Sequence, residues 1–229
     1  MKIKIIFIIL TTSLFFNCVN KTNSKEFIEQ TTGRYLFNSD ETIEVYFNEN
    51  VLHLKWRGVT DIKPLKINKE TFFVKEMNEK IQFLSNPNNN KYFMILVPKE
   101  PTDSITFNYR KLDKSEKVAS EYLDENQFNK ALQAYIQIKK KDSLDSALNE
   151  QNMNRKGYRY LNDKEYAKAK EIFKINIELH PQSANVYDSY ADALKRSGDT
   201  MQAIEYYKKS LKIDSGNRRA KEFVKKHKK

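Results

Sequence analysis

The sequence is poor both in residues that interrupt regular structure and in residues that build reactive sites. Its 229 residues include five Gly, five Pro, three His, one Trp and one Cys. So few Gly and Pro exclude a chain made mainly of long irregular loops. A single cysteine excludes an internal disulfide framework. The histidines, His53, His180 and His227, form no His-x-x-x-His pair and have no cysteine cluster beside them, so the common zinc-ligand spacings are missing and no metal or cofactor is expected. There is no Ser-x-x-Lys, no Gly-x-Ser-x-Gly elbow and no Gly-rich phosphate loop. The familiar nucleophile and nucleotide signatures are therefore absent, and no enzymatic activity is expected. The first apolar run is also shorter than the ~20 residues a membrane-spanning helix needs.

An apolar content of 39% with 12% aromatics is enough for a packed core. The formal net charge of +11 is unevenly spread. Lys21 to Lys114 holds 15 basic and 13 acidic residues, a balance of +2, whereas Ser115 to the end holds 24 and 17, or +7. The last thirteen residues alone supply seven basic against one acidic. The excess is thus a terminal stretch, read as a solvated helix end, and no nucleic-acid partner is expected.

Residues 1–18 read as an export signal. Lys2 and Lys4 supply the positive start, the apolar run is Ile3 to Leu10, extended by Leu14, Phe15 and Phe16, and Cys18 follows directly. The stretch resembles a bacterial lipoprotein signal, in which the cysteine becomes the first residue and carries lipid. Asn17 and Phe15 stand where that family has a small residue and a leucine. The resemblance implies lipid attachment at Cys18, anchoring in a bilayer that faces the periplasm or cell exterior, and a short tether over residues 19–30.

Residues 31–112 change character. GRYLFN, IEVYF, VLHLKW, DIKPLKI, TFFVKE, KIQFL, KYFMILV and SITFNY are short alternating runs divided by Asn, Asp, Pro and Glu clusters such as FNEN and NPNNN. This pattern predicts a small antiparallel β-sandwich or barrel. Ile43, Val45 and Phe47 share one strand face, and Leu52, Leu54 and Trp56 another. His53, between Leu52 and Leu54, is expected to point to solvent. The segment INKETFFVKEMNEKIQFLSNPNNN, with Phe72-Phe73, Lys75-Glu76 and Ile81-x-Phe83, is similar to a small β-domain found after bacterial serine-hydrolase domains of the β-lactamase type. That resemblance implies no reaction. It raises the alternative that this chain is an accessory partner of such an enzyme, with the catalytic domain on another chain.

The second half repeats. Gly157 aligns with Ala191, Ala169 with Ala203, Phe173 with Tyr207 and Asn176 with Ser210, each 34 residues on. The period and residue types resemble the tetratricopeptide repeat, whose units are pairs of antiparallel helices. Small residues at 157, 169, 191 and 203 let the helices approach, and the large aromatics fill the space between units. The units are 150–183 and 184–217, with helices over Asn152–Leu161, Lys164–Leu179, Val186–Arg196 and Thr200–Ile213. A divergent helix pair occupies 113–149, with Ala119, Ala131 and Tyr135 at the packing positions and four extra residues near Asp145–Leu148. Residues 218–229 form a basic capping helix and tail.

The expected fold class is therefore α+β in separate domains, a small antiparallel β-domain followed by a helical solenoid. The tetratricopeptide resemblance implies binding of a peptide or protein along the concave side lined by the first helix of each pair. At the matching positions stand Asn154, Tyr158, Asp188, Asp192 and Arg196. Asp188 and Asp192, one turn apart, are read as open to solvent or to a basic ligand. In NRKGYRYLNDKEYAKAKEIF, residues 154–173, the lysines and Arg159 are expected on outer faces; Tyr160 and Phe173 there, and Tyr187, Tyr190 and Tyr207 further on, are expected between helices.

Overall fold

The computed structural model describes residues 22–100 and 102–227; residues 1–18, read above as an export signal ending at Cys18, lie outside the described residues. The chain divides into two compact units. One comprises Val45–Phe107 with the segment ending at Thr32, and the other comprises Gly33–Glu44 with the chain from Asn108 onward.

The elements of the strand-rich region are α1 (Lys25–Thr31), β1 (Gly33–Asn38), β2 (Glu41–Asn48), β3 (Val51–Trp56), β4 (Val59–Ile62), β5 (Leu65–Lys66), β6 (Thr71–Val74), β7 (Glu79–Ser85), β8 (Tyr92–Leu96) and β9 (Tyr109–Arg110). In the first unit each strand lies beside its predecessor, as β2-β3-β4 and β5-β6-β7-β8. Glu49-Asn50 and Arg57-Gly58 are two-residue connections, and all four have positive φ. Such turns match the twist of the strands they join. The expected run DIKPLKI is split into β4 and β5 around Pro64, which has no N–H for a ladder. The expected SITFNY strand shrinks to Tyr109–Arg110, and Ile105 is exposed. Leu52, Leu54, Phe72, Ile81 and Met94 are buried, and Phe27 of α1 packs on Phe47, Phe72 and Phe83 at 5.7–6.1 Å between ring centres.

His53 departs from expectation. It is only 5% exposed. Its Nδ1 lies 2.6 Å from Asp61 Oδ1, and its ring packs against Tyr46 at 5.2 Å. β3 is covered on both faces, so Leu52, His53 and Leu54 are all buried and alternation no longer sorts core from solvent. The His53 hydrogen bond holds the exposed Asp61 carboxyl below the ordinary range.

The second unit contains helices α2 (Ala119–Asp124), α3 (Phe128–Lys141), α4 (Glu150–Asn162), α5 (Tyr166–Leu179), α6 (Ala184–Arg196), α7 (Thr200–Ile213) and α8 (Arg218–Lys226), with a 3-10 turn at Ser146–Leu148. That turn, with Asp145 before it, occupies the four extra residues that set the first pair out of period. The helix pairs α4–α5 and α6–α7 repeat at 34 residues. Gly157 of α4 sits so close to α5 that an added Cβ would meet the Phe173 ring at 2.5 Å. The close approach is thus the reason a glycine stands mid-helix despite its propensity cost of about 1 kcal/mol. Ala169, Ala191 and Ala203 are fully buried at the matching contacts, with Phe173 and Tyr207 filling the space between. Asn126, Lys164 and Gly198 hold the same place in successive pairs and all take left-handed φ, at 60°, 63° and 89°.

The β1–β2 hairpin belongs to this unit through its tip. Asp40 Oδ1 accepts from Ser120 N at 2.5 Å, Asp40 Oδ2 accepts from Tyr135 OH at 2.7 Å, and Ser120 Oγ donates to Asp40 O at 3.0 Å. Val118, the residue just before α2, has no side-chain acceptor. Asp40 therefore caps the helix from 80 residues away. Arg34 pairs with Glu121 and donates to Glu116 O, and Ser39 bonds Asp145. Burial pushes the Asp40 carboxyl above its ordinary value, against the lowering effect of the Ser120 and Tyr135 hydrogen bonds.

Candidate protein-interaction face

The first helices of the pairs, α4 and α6, lie side by side, and α8 continues the row. Arg196 at the end of α6 donates to Asn162 Oδ1 at 3.1 Å and to Leu161 O at 3.2 Å. It thus reaches the open carbonyl end of α4, where a cation is favoured. Arg196 serves as a latch between repeats.

Asp188 and Asp192 are brought together, though not as an open acidic pair. They are 8% and 6% exposed. Arg219 of α8 pairs with Asp188 Oδ2 and lies 3.9 Å from Asp192 Oδ1. Asn217 Nδ2 donates to Asp188 Oδ1 at 2.8 Å, and Lys195 sits 3.0 Å from Asp192. The expectation that these carboxylates face solvent or an external basic ligand is corrected here: the capping helix supplies the basic ligand from within the chain. Period and spacing placed them on one face but gave no sign of Arg219, whose reach depends on how α8 packs. Tyr207 is fully buried nearby with its hydroxyl unpartnered, and burial pushes that hydroxyl's pKa up.

Tyr158 is half-buried and edge-on to Phe173 at 5.2 Å. Asn154, one turn before it, is half-buried with its Oδ1 enclosed and without a partner. Tyr158 also lines a cavity of about 730 Å³ together with Asp124, Asn152, Arg155, Lys156, Arg159 and Asn162. Arg159 is exposed, as expected, and Arg155 beside it is exposed too. The strip Arg155-Lys156-Arg159 lines the same recess as Tyr158. Lys156 is 3.4 Å from Asp124, Arg155 bonds Asn152, and Arg159 lies over the Tyr160 ring at 5.3 Å. With Asp188 and Asp192 neutralised internally, the recess is bordered by three cations and one carboxylate. The aromatics behave as packing residues: Phe173, Tyr190 and Tyr207 are buried, while Tyr160 and Tyr187 are half-buried.

No protein-family model and no curated protein sequence matches the chain. Solved tetratricopeptide domains do resemble it in part. The first TPR of Spaghetti (RPAP3) bound to HSP90 peptide SRMEEVD is 16% identical, with a TM-score of 0.34, and the match covers 47% of this chain and 82% of that one. The second TPR domain of the human RPAP3 protein, in complex with HSP70 peptide SGPTIEEVD, is 19% identical over 48% of this chain and 89% of its own, at a TM-score of 0.34. The Sgt2 TPR domain from Aspergillus fumigatus is 15% identical over 47% and 70%, at 0.33.

Proposed function

We propose that the chain is an exported, lipid-anchored, non-enzymatic scaffold that binds a peptide or protein through the first-helix face of its helical repeat. The observation that carries this reading is the recess beside α4. There a half-buried tyrosine and three cations line a cavity of about 730 Å³. A rigid stack with such a recess recognises a partner by shape and charge, with no bond made or broken. Anchoring rests on the apolar run before Cys18, and a diacylated cysteine would hold the chain at a membrane permanently. Among the described residues no helix is long and apolar enough to cross a membrane.

The test is affinity capture from detergent-solubilised membranes with wild type, Tyr158→Ala and Arg155→Ala/Arg159→Ala. The reading expects one partner set retained by wild type and lost by both variants while their circular dichroism is unchanged. Equal capture by all three would overturn it. Anchoring has its own readout: Cys18→Ala should move the protein from the membrane to the soluble fraction and abolish incorporation of labelled palmitate.

A further inference from the structure

The second helices of the pairs carry a separate recess. α5 runs through a groove of about 810 Å³ that extends from the start of α3 to the start of α7. Phe128, Tyr166, Tyr190 and Leu194 supply apolar surface, and Lys164, Lys168, Lys170 and Lys174 stand around it. Two carboxylates, Glu165 and Glu171, also line it, and both are already engaged, Glu165 with Lys168 at 3.0 Å and Glu171 with Lys174 at 2.7 Å. Among the described residues Lys164 and Lys170 have no carboxylate within ion-pair distance. The groove therefore pairs an apolar floor with two uncompensated ammonium groups.

We propose that this groove docks an acidic segment of a partner polypeptide, one whose carboxylates pair with Lys164 and Lys170 while an apolar side chain enters the floor. Charge complementarity selects the sign of the occupant. The mixed lining selects its class: headgroups of an anionic bilayer would meet the lysines and leave the apolar surface of Phe128 and Tyr166 unmatched, whereas an extended chain can present carboxylates and an apolar side chain together. The proposal is independent of the first-helix face, whose recess is formed by α4.

The test uses the full chain and a fluorescein-labelled acidic probe peptide, EDEFEDLEDE, followed by fluorescence anisotropy. Binding should weaken steeply between about 50 and about 300 mM NaCl, as interactions of exposed charges do. The double variant Lys164→Glu/Lys170→Glu should bind about tenfold more weakly, whereas Arg155→Ala/Arg159→Ala should leave the affinity within about twofold. Replacing the probe's Phe and Leu by Ser should also weaken binding, which a purely ionic surface would not show. The proposal is overturned by no binding to the probe, by equal loss in the two double variants, or by binding only to phosphatidylglycerol vesicles and not to the peptide. Circular dichroism of each variant must match wild type, and because all four substituted side chains are exposed or half-buried, loss of fold is not expected.

Discussion

At the scale of single residues, two positions show how local rules are overridden by contact. Gly157→Ala should raise helix propensity, yet its new Cβ would lie 2.5 Å from the Phe173 ring. Overpacking outweighs propensity at such a site, so the variant should be less stable by about 1–3 kcal/mol. Chemical denaturation measures this, and Phe173→Leu in the same chain should restore part of the loss. Asp40 is the second position. Burial raises its carboxyl pKa in the fold. A group whose pKa rises on folding contributes stability that is fully present below the unfolded value and lost as pH rises through the folded value. The stability of wild type relative to Asp40→Asn should therefore fall as pH is raised from acid toward neutral. A gap that widens instead would show that the Ser120 and Tyr135 hydrogen bonds outweigh desolvation. Gly157 was legible as a close-approach glycine because the 34-residue alignment sets it opposite Ala191. Asp40 was not legible at all, since nothing local in Asn38-Ser39-Asp40 announces a cap for a helix 80 residues later.

At the scale of elements, α8 is where the reading of the sequence was incomplete. Its range and its place as a cap were expected, yet its charge was assigned to solvent. Arg219 instead satisfies two buried carboxylates on α6. Arg219→Ala should leave Asp188 and Asp192 short of a counter-charge and loosen α8. The expected cost is about 1–2 kcal/mol, held low because the guanidinium is half-exposed. Hydrogen exchange should show faster amide exchange in α8 than in α4, and Arg219→Lys should recover only part of the protection, because an ammonium lacks the planar fork. Strand boundaries failed differently: Pro64 split one expected strand in two, and two-sided burial of β3 hid His53. Alternation reads a face only when one side of a strand is wet.

At the scale of the whole molecule, stability in a helical stack comes from each repeat's contact with its neighbours. α8 covers Ala203 and Tyr207 with Ala220, Val224 and Phe223. Ending the chain after Ile213 should remove about 3–5 kcal/mol of apolar burial, and should lower the thermal midpoint and promote aggregation through the uncovered α7 face. If the shortened chain melts with wild type, α8 is an appendage and not a cap. The amino-acid sequence by itself determined the repeat, its period, the helix boundaries to within two residues and the residues that pack between helices, because each of these follows from spacing along one chain. Only the tertiary structure decided which charges are free. Asp188 and Asp192 are spent on Arg219, Arg196 on the end of α4 and Asp40 on α2, while Arg155, Arg159, Lys164 and Lys170 remain at the rims of recesses. Pairing of charges depends on distances between segments far apart in the chain, and the order of residues does not encode those distances locally.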